Sequence, residues 1–233
     1  MKILTQNMWL LPFGFSKDNK KRLKLLVDYI EKNEIDIICL QEVWKNSYIS
    51  YLKKNIKKKY FFSYNKTKFW NKSGLICLTK IKPKNVEFFE FKKSKDNPLI
   101  NKIAKRGFLK LSFKEYDIYN THLYYKTDIK IGLKIALKEF EQLKKNIHRF
   151  SIICGDLNID KKIFDKINTF YYADNIENTF SSKNKYSKKW WEKKVILDKK
   201  IDYILTTKKV NFKSYAIEGL SDHEGILSEI ILN

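Results

Sequence analysis

The sequence predicts an α/β fold in which β-sheets and helices pack as a sandwich. Three observations predict it: the chain opens with a strand, a helix and a strand, a series of strands follows, and a long helix then leads into another strand. Elements that alternate in this way bury their apolar faces against one another in layers. The chain has 233 residues, of which 43% are hydrophobic, so it holds ample material for a core. Without a visible linker or internal repeat, we expect one domain over residues 1–233.

The opening unit is recognised by a change in the spacing of its apolar residues. Residues 3–9 predict a strand, and residues 35–40 predict another. Between them the pattern indicates a helix over 18–33, with Ser16 or Asp18 as its N-cap. The apolar residues that recur at helical spacing are Leu23, Leu26, Val27 and Ile30.

The rest of the chain predicts a succession of strands and one long helix. After a helix expected over 47–58, strand-like runs occupy 61–64, 75–79, 86–91, 108–113 and 116–123. The pair Lys114-Glu115 is expected to turn the last two runs into a hairpin. The long helix has one apolar stripe, formed by Ala136, Phe140, Leu143 and Ile147. Final strands are predicted at 151–154, 201–205 and 225–231.

The chain is strongly basic, and this charge limits the choice of partners. Its 48 Lys and Arg residues against 26 Asp and Glu residues give a formal net charge of +22. Clustered cations attract polyanions such as nucleic acid and anionic membrane surfaces. Lysine, isoleucine and asparagine are enriched throughout, so a bias in the base composition of the coding genome explains the charge equally well. The run from Lys53 to Lys59 is a candidate basic patch, although a solvated helix end is the commoner explanation.

Cysteine usage and the lack of long apolar runs indicate the compartment. Cys39, Cys77 and Cys154 each lie inside an apolar run and lack the spacing of metal-binding cysteines. We therefore expect buried, reduced thiols, which are typical of a reducing compartment. No stretch reaches the roughly 20 apolar residues of a spanning helix, and the opening residues do not resemble a secretion signal. The expectation is a cytoplasmic protein with no transmembrane segment, with secretion by another route left open.

Polar residues end several apolar strands and predict a site there. Two of the three histidines, His122 and His223, lie in such polar tips. Asp156 and Asn158 follow the strand at 151–154, and residues two apart on an extended chain face the same side. The two side chains could therefore meet at one water or metal ion, although a Gly-Asp-x-Asn sequence is most often a simple turn.

Three further polar residues extend the same pattern. Asn7 lies near the end of the first strand, and Glu42 follows the strand at 35–40. Asp202 lies within an otherwise apolar run. A buried carboxylate is costly unless it is paired, so Asp202 and His223 are expected to be partners.

These motifs occur in a definite order along the chain. They are Gln6-Asn7-Met8-Trp9, Gln41-Glu42-Val43-Trp44, Thr121-His122-Leu123, Gly155-Asp156-Leu157-Asn158, Ile201-Asp202-Tyr203 and Ser221-Asp222-His223. In type and order the set resembles the endonuclease/exonuclease/phosphatase superfamily, which includes deoxyribonuclease I. The resemblance runs from the first strand to the last. It implies a deoxyribonuclease I-like α/β fold, a four-layer sandwich of two mainly antiparallel sheets flanked by helices.

The resemblance implies a metal-dependent enzyme. By position, Glu42 is expected to be the principal Mg²⁺ ligand, with Asn7 beside it and Asp222 near the metal. Mg²⁺ prefers oxygen ligands and keeps several waters, so few protein ligands are needed. Mn²⁺ is the alternative ion.

The resemblance also assigns the catalytic side chains. Asp156 and Asn158 are expected to align and activate the attacking water. His223, oriented by Asp202, is expected to act as base or phosphate contact, and His122 to donate to the phosphate or the leaving oxygen. Which histidine is the acid and which is the base stays open. Phosphodiester hydrolysis needs a cation on the phosphate oxygens, an oriented water and a proton donor, and this set supplies all three.

Within the superfamily the sequence looks most like the neutral sphingomyelinase branch. The segments that carry this likeness are 7–12, Glu42-Val43-Trp44 and Ser73-Gly74-Leu75. Trp9 and His122 replace the residues usual in apurinic endonucleases and disfavour that activity. We therefore expect a phosphodiesterase that acts on a phospholipid such as sphingomyelin. A nuclease acting on DNA or RNA, a phosphomonoesterase acting on inositol phosphates or nucleotides, and a non-enzymatic binding module stay open.

Loop aromatics and the basic surface predict the partners. Phe13, Phe15, Phe69-Trp70 and Trp190-Trp191 could insert into a bilayer interface or stack on unpaired bases, although burial in the core is the commoner fate of such residues. The expected partners are a phosphodiester substrate and, through the basic surface, an anionic membrane or nucleic acid. The protein is expected to be a monomer.

Overall fold

A computed structural model describes residues 1–12, 14–68, 70–92, 104–125, 128–187 and 198–231. Of the loop aromatics named above, Phe13, Phe69 and the pair Trp190-Trp191 lie outside the described residues. All eight side chains predicted for the site lie within them.

The described part of the chain forms twelve strands and four helices. The strands are β1 (Lys2–Leu10), β2 (Ile37–Val43), β3 (Phe61–Lys66), β4 (Asn71–Thr79), β5 (Asn85–Glu90), β6 (Gly107–Ser112), β7 (Asp117–His122), β8 (Ser151–Asp156), β9 (Tyr171–Tyr172), β10 (Asp202–Thr206), β11 (Asn211–Ile217) and β12 (Gly225–Ile231). The helices are α1 (Asn19–Lys32), α2 (Asn46–Asn55), α3 (Ile129–Lys144) and α4 (Lys161–Ile167). None of these helices is long and apolar enough to cross a membrane.

The strands form two six-stranded sheets with the same plan of connections. The first sheet has the order β11-β12-β1-β2-β4-β3, and the second has the order β5-β6-β7-β8-β10-β9. In the first sheet the central pair β1 and β2 is parallel and its other neighbours are antiparallel. The second sheet repeats this around the parallel pair β7 and β8. The expected pair of mainly antiparallel sheets is therefore confirmed.

The sheets pack face to face, and helices cover both outer faces. The core between the sheets includes Ile3, Cys39, Cys77, Ile118, Ile152 and Cys154. Leu26 of α1 and Ile49 of α2 pack on the outside of the first sheet. Phe140 of α3 and Phe164 of α4 pack on the outside of the second. The four-layer sandwich implied by the resemblance is thus confirmed.

Most strands and the three longer helices lie where the sequence predicts them, but some bounds differ. The second helix ends at Asn55 rather than at residue 58, because the backbone N–H groups of Lys57 and Lys58 donate to the Glu31 carboxylate of α1. Asp18 is the N-cap of α1, but its backbone is left-handed (φ 54°) and its side chain makes no capping bond. Three elements were not predicted: α4, which has seven residues, the two-residue β9, and the largely exposed edge strand β11.

The three cysteines lie in the core between the two sheets. All are free and buried, and the Sγ atoms of Cys39 and Cys77 on neighbouring strands are 3.7 Å apart. Burial raises the pKa of the Cys77 thiol well above its usual range. The expectation that the thiols are buried is confirmed.

Candidate active site

The predicted site residues meet at one edge of the sandwich, where the central parallel strands end. Asn7 and Glu42 come from β1 and β2 of the first sheet, and His122 and Asp156 come from β7 and β8 of the second. The side-chain N–H₂ of Asn7 donates to Oε1 of Glu42 at 3.1 Å and to Oδ2 of Asp156 at 3.0 Å. A single amide therefore joins the carboxylates of the two sheets.

Left-handed backbone conformations occur at this edge in three residues other than glycine. The φ angles of Trp9, Glu42 and Asn158 are 45°, 57° and 50°. Such conformations are rare for side chains of this kind and concentrate at functional sites. At Trp9 the conformation brings the backbone N–H to Oδ1 of Asn7 at 3.0 Å, which fixes the orientation of the amide.

A glycine is required beside Asp156. Gly155 has a φ of +147°, and a Cβ there would overlap the carbonyl oxygen of Thr121 on β7. The glycine of the Gly-Asp-x-Asn motif therefore lets β7 and β8 run side by side up to His122 and Asp156, which are register partners.

His122 faces both carboxylates that Asn7 joins. Its Nε2 lies 3.5 Å from Oδ2 of Asp156 and 3.9 Å from Oε1 of Glu42. Burial, followed by the charges of Arg106 and His223, holds the pKa of His122 well below its usual range. In the metal-free protein this ring is therefore neutral at pH 7.

His223 and Asp202 form the pair that the sequence predicts. Nδ1 of His223 lies 2.9 Å from Oδ2 of Asp202, and its Nε2 lies 3.8 Å from Oδ2 of Asp156. Burial alone would lower the pKa of His223, but the charges of Asp202 and Asp156 outweigh it and raise that pKa well above the usual range. The Asp202 contact also fixes the ring so that Nε2 points toward Asp156.

Asp156 is the carboxylate on which the site converges. Burial, and then the neighbouring charge of Asp202, raise the pKa of Asp156 to about 7. The backbone N–H of Asn158 donates to Oδ1 of Asp156 at 2.9 Å, while the Asn158 side chain donates to the carbonyl of Leu123 at 3.0 Å. Asn158 thus ties the turn after β8 to the turn after β7.

Asp222 lies at the border of this group. It is buried, accepts a hydrogen bond from the Ser221 hydroxyl at 3.0 Å, and acts electrostatically on His223 and on Arg22. The predicted metal residues are therefore spread along the edge, with Glu42 and Asn7 together and Asp222 on the side of His223. In the described part of the chain, the acid and histidine group with all its ligand atoms within 4.8 Å of one another is Asp156, Asp202 and His223.

The donor set fits the Mg²⁺ that the resemblance implies. Four carboxylates lie in the site or at its border: Glu42, Asp156, Asp202 and Asp222. Among the described residues, His223 and Arg22 are positive groups that act on these carboxylates. Oδ1 of Asp202 is buried without a hydrogen-bond partner among the described residues. Carboxylate and amide oxygens are the ligands that Mg²⁺ prefers, and a divalent cation would balance the charge.

Two buried glutamines, Gln6 and Gln41, for which the sequence predicted no role, lie beneath the site. The Gln6 side chain donates to the carbonyls of Asn7 at 2.8 Å and His223 at 3.1 Å. The Gln41 side chain crosses the core between the sheets and donates to Oδ1 of Asn120 at 2.8 Å. Gln6 thus links β1 to the His223 loop, while Gln41 links the two sheets just below the catalytic edge.

Sequence reasoning missed Arg22 of α1, which is fully buried behind the end of β1. Its guanidinium donates to the carbonyls of Met8 and Trp9, the latter at 2.8 Å, and stacks against the rings of Trp9 and Tyr186. Burial lowers the pKa of Arg22, while Asp222 and Glu42 oppose that shift. Arg22 therefore holds the left-handed turn that orients Asn7.

A second missed group supports His122. Arg106 donates to the His122 carbonyl at 2.9 Å and pairs with Oε1 of Glu139 at 3.3 Å. Oε2 of the buried Glu139 accepts the backbone N–H of Tyr124 at 2.7 Å. Both Arg22 and Glu139 lie on the apolar stripe of their helix, and a charged residue on such a stripe is the sequence signal that would have found them.

The motifs are matched as a whole by a model of the Endonuclease/Exonuclease/phosphatase family, over residues 4–223. The chain belongs to this family. The match extends from β1 to His223, so it includes every strand end that contributes to the site. No curated protein sequence matches the chain.

Three solved structures are similar to this family member over nearly their whole length. A variant of Staphylococcus aureus beta toxin with bound magnesium ions is 18% identical, with a TM-score of 0.73 over 97% of this chain and 98% of that chain. Sphingomyelinase C from Streptomyces griseocarneus is 16% identical, with a TM-score of 0.72 over 98% of both chains. D. rerio TDP2 complexed with a single-strand DNA product is 16% identical, with a TM-score of 0.73 over 100% of this chain and 99% of that chain. At these identities the likeness shows the fold alone.

Proposed function

We propose that this protein is a Mg²⁺-dependent phosphodiester hydrolase that uses an activated water and acts on a phospholipid such as sphingomyelin. The observation that carries the proposal is the Asn7 amide, which joins Glu42 of one sheet to Asp156 of the other. His122 and His223 both face the same Asp156 oxygen, at 3.5 Å and 3.8 Å. On this proposal, Glu42 holds the metal, Asp156 orients the water, and the two histidines contact the substrate and exchange protons with it.

Glu42 and Asn7 are the residues that would hold the metal, with Asp222 nearby. When bound, Mg²⁺, or Mn²⁺ in its place, would supply positive charge to the non-bridging phosphate oxygens. The Glu42 side chain is 15% exposed, so it is accessible from the open end of the site. Its left-handed backbone and its bond to Asn7 keep the carboxylate at that position.

Asp156 is placed to orient and deprotonate the attacking water. Its Oδ1 is held by the Asn158 backbone, which leaves Oδ2 on the side of both histidines. Because Asp202 occupies Nδ1 of His223, Nε2 is the atom left for contact with the phosphate. His122, on the other side of Asp156, is neutral and would donate a hydrogen bond to the phosphate or the leaving oxygen. The charged His223 can supply the proton that the leaving oxygen takes up.

The rim of the site supports a lipid substrate. Phe15 follows β1 and Tyr125 follows β7, and these side chains are 59% and 57% exposed. Exposed aromatic rings beside a site suit an interface between lipid and water, because one end of such a ring is apolar and the other tolerates water. The fold shared with a sphingomyelinase C also supports a lipid substrate.

The test is a turnover assay with Mg²⁺ on sphingomyelin vesicles and on plasmid DNA, with the wild type and His223→Ala. His148→Ala is the matched control, because His148 is exposed and lies before β8, at the opposite end from Asp156. We expect cleavage of sphingomyelin by the wild type and by His148→Ala, and its loss in His223→Ala. Sphingomyelin cleavage that survives His223→Ala would exclude this site as its source.

A nuclease is the second candidate, and the net charge of +22 is the observation that favours it. Cationic surfaces bind nucleic acid through release of counterions. One structure with the same fold, TDP2, holds a single-strand DNA product. Plasmid cleavage by the wild type that is lost in His223→Ala, with sphingomyelin left intact, would select this second function.

A further inference from the structure

A segment of the chain immediately after Glu42 carries cations alone. Residues 43–86 contain twelve lysines and no Asp, Glu, Arg or His. These 44 residues therefore contribute +12 of the +22 net charge. A uniform bias toward lysine does not explain the absence of acidic residues, because acidic residues are frequent elsewhere in the chain.

The fold places most of this segment at the lateral edge of the first sheet, where β4 and the edge strand β3 lie beside α2. The Asn46 side chain at the start of α2 donates to the carbonyl of Thr67 in the turn between β3 and β4. Further along α2, the Lys53 ammonium lies 5.4 Å from the ring centroid of Phe62 and 5.3 Å from that of Tyr64 on β3. The lysines of helix and hairpin therefore form one continuous surface.

We call five exposed lysines on α2, β3 and β4 and in the β3–β4 turn the cationic face: Lys53, Lys54, Lys66, Lys68 and Lys72. Glu34 pairs with Lys58 and Lys80 at the other end of β2, far from the site. The cationic face itself reaches the catalytic edge, because Lys66, Lys68 and Lys72 flank the β3–β4 turn and Trp70 bridges to Lys45, three residues after Glu42. Positive charge thus borders the site on the side of the metal-binding carboxylate.

We propose that the cationic face docks the protein on an anionic phospholipid membrane, with the open edge of the site toward the bilayer. This inference rests on the proposed phospholipid substrate and names the surface on which that substrate is met. Lysines next to a membrane surface are attracted by the potential of anionic lipids. Phe15 and Tyr125, exposed on the same edge, then contact the lipid interface.

The chemistry of the face favours lipid over nucleic acid. Phe62 and Tyr64 pack against the core and carry Lys53 over their faces, so their rings are not open for stacking on bases. Its cations are all lysines, which are compact point charges, and it lacks the planar guanidinium that binds phosphates in a two-point geometry. A diffuse array of point charges matches a surface of many mobile anionic headgroups.

The test compares flotation with phosphatidylcholine vesicles and with vesicles that also contain phosphatidylserine, without Mg²⁺ so that binding is separate from turnover. The test variant is Lys66→Gln, Lys68→Gln, Lys72→Gln. The control variant, Lys166→Gln, Lys208→Gln, Lys209→Gln, removes the same charge from exposed positions on α4 and the β10–β11 turn. We expect wild type and control to bind only the anionic vesicles, and the test variant to bind at least about tenfold more weakly. Raising the salt should abolish the binding.

Equal weakening of vesicle binding in the test and control variants would contradict the proposed docking face, because net charge alone would then explain binding. Tighter binding of the wild type to a single-stranded oligonucleotide than to anionic vesicles at the same salt, lost in the test variant, would assign the face to nucleic acid instead. Hydrolysis of a soluble phosphodiester separates this inference from the proposed function. The test variant should retain that activity; vesicle binding without any phospholipid turnover would remove the proposed substrate but keep the face.

Discussion

The two sheets share one plan of connections, yet their equivalent strand ends carry different chemistry. Each has a central parallel pair joined by a crossover that contains a helix, β1-α1-β2 in one and β7-α3-β8 in the other. The first pair presents Asn7 and Glu42, an amide and a carboxylate suited to hold a cation. The second presents His122 and Asp156, an imidazole and a carboxylate suited to contact water and exchange protons. The topology thus determines the positions of the reactive groups, and the residue types at the strand ends determine the chemistry of each half.

The two halves also differ in the buried charged residue that holds each strand end in place. In the first half, the buried cation Arg22 of α1 holds the carbonyls at the end of β1. In the second, the buried anion Glu139 of α3 holds the backbone N–H of Tyr124 just after β7. Each crossover helix therefore anchors its strand end with one buried charge, and the two charges have opposite signs.

The largest effect is expected from Asp156→Asn, because Asp156 is the group that both halves share. Loss of its negative charge removes the proposed water-orienting carboxylate and weakens the hydrogen bond from Asn7. We expect kcat for phosphodiester hydrolysis to fall by about 10³-fold or more, with the fold retained in circular dichroism. A fall of less than about tenfold would contradict the central place of Asp156.

Asp202→Asn should have the next largest effect and should act mainly through His223. The amide can no longer stabilise a charged His223 or fix its ring, so we expect kcat to fall by about 10²-fold or more, with a smaller loss of Mg²⁺ affinity than Glu42→Gln causes. Asp117→Asn is the matched control, because Asp117 is a buried aspartate at the far end of β7, paired with Lys110 and Arg149. Kinetics and isothermal titration of Mg²⁺ on both variants would measure the difference. Equal loss of kcat in both would show a general effect of buried charge.

Substitutions of the two buried supports, Arg22 and Glu139, should also affect different properties of the site. Arg22→Met leaves the carbonyls of Met8 and Trp9 without donors and disturbs Asn7, so we expect weaker Mg²⁺ binding and a loss of about 3 kcal/mol in the free energy of unfolding. Glu139→Gln keeps a neutral acceptor for Tyr124, so a loss of about 1 kcal/mol is expected, with kcat lowered and Mg²⁺ affinity kept. Urea unfolding and Mg²⁺ titration would test both. Equal losses of stability and of Mg²⁺ affinity in the two variants would contradict the different roles of the two supports.

The smallest effect is a pH-dependent stabilisation by the metal. The pKa of Asp156 is raised from 3.8 to about 7, so its contribution to stability is present below pH 3.8 and is lost as the pH rises through about 7 in the metal-free protein. The raised pKa of His223 acts in the same direction. Mg²⁺ favours ionised carboxylates, so its increase in Tm should grow from about pH 5 to about pH 8. An increase that is constant over this range would count against binding beside Asp156.

The sequence predicted the strand ends well because polar residues there interrupt apolar runs. Asn7, Glu42, His122, Asp156 and His223 were all visible in this way, and the fold brings them to one edge. Arg22 and Glu139 were missed although each lies on the apolar stripe of its helix; their position was visible in the sequence, but their partners become apparent only when the helix is packed. The edge strand β11 was also missed, because its largely exposed residues leave no apolar run. The bridging role of Asn7 depends on the approach of the two sheets, which no local pattern encodes.

The central claim is that the two halves form one metal-dependent site for phosphodiester hydrolysis. The most direct test is the rate of hydrolysis of bis(p-nitrophenyl) phosphate with Mg²⁺, after removal of the metal with EDTA, and after Mg²⁺ is added back, with Glu42→Gln measured alongside. We predict hydrolysis by the wild type, its loss in EDTA, its full recovery on adding Mg²⁺, and little activity in Glu42→Gln under any condition. Hydrolysis that continues unchanged in EDTA, or that survives Glu42→Gln, would contradict the account.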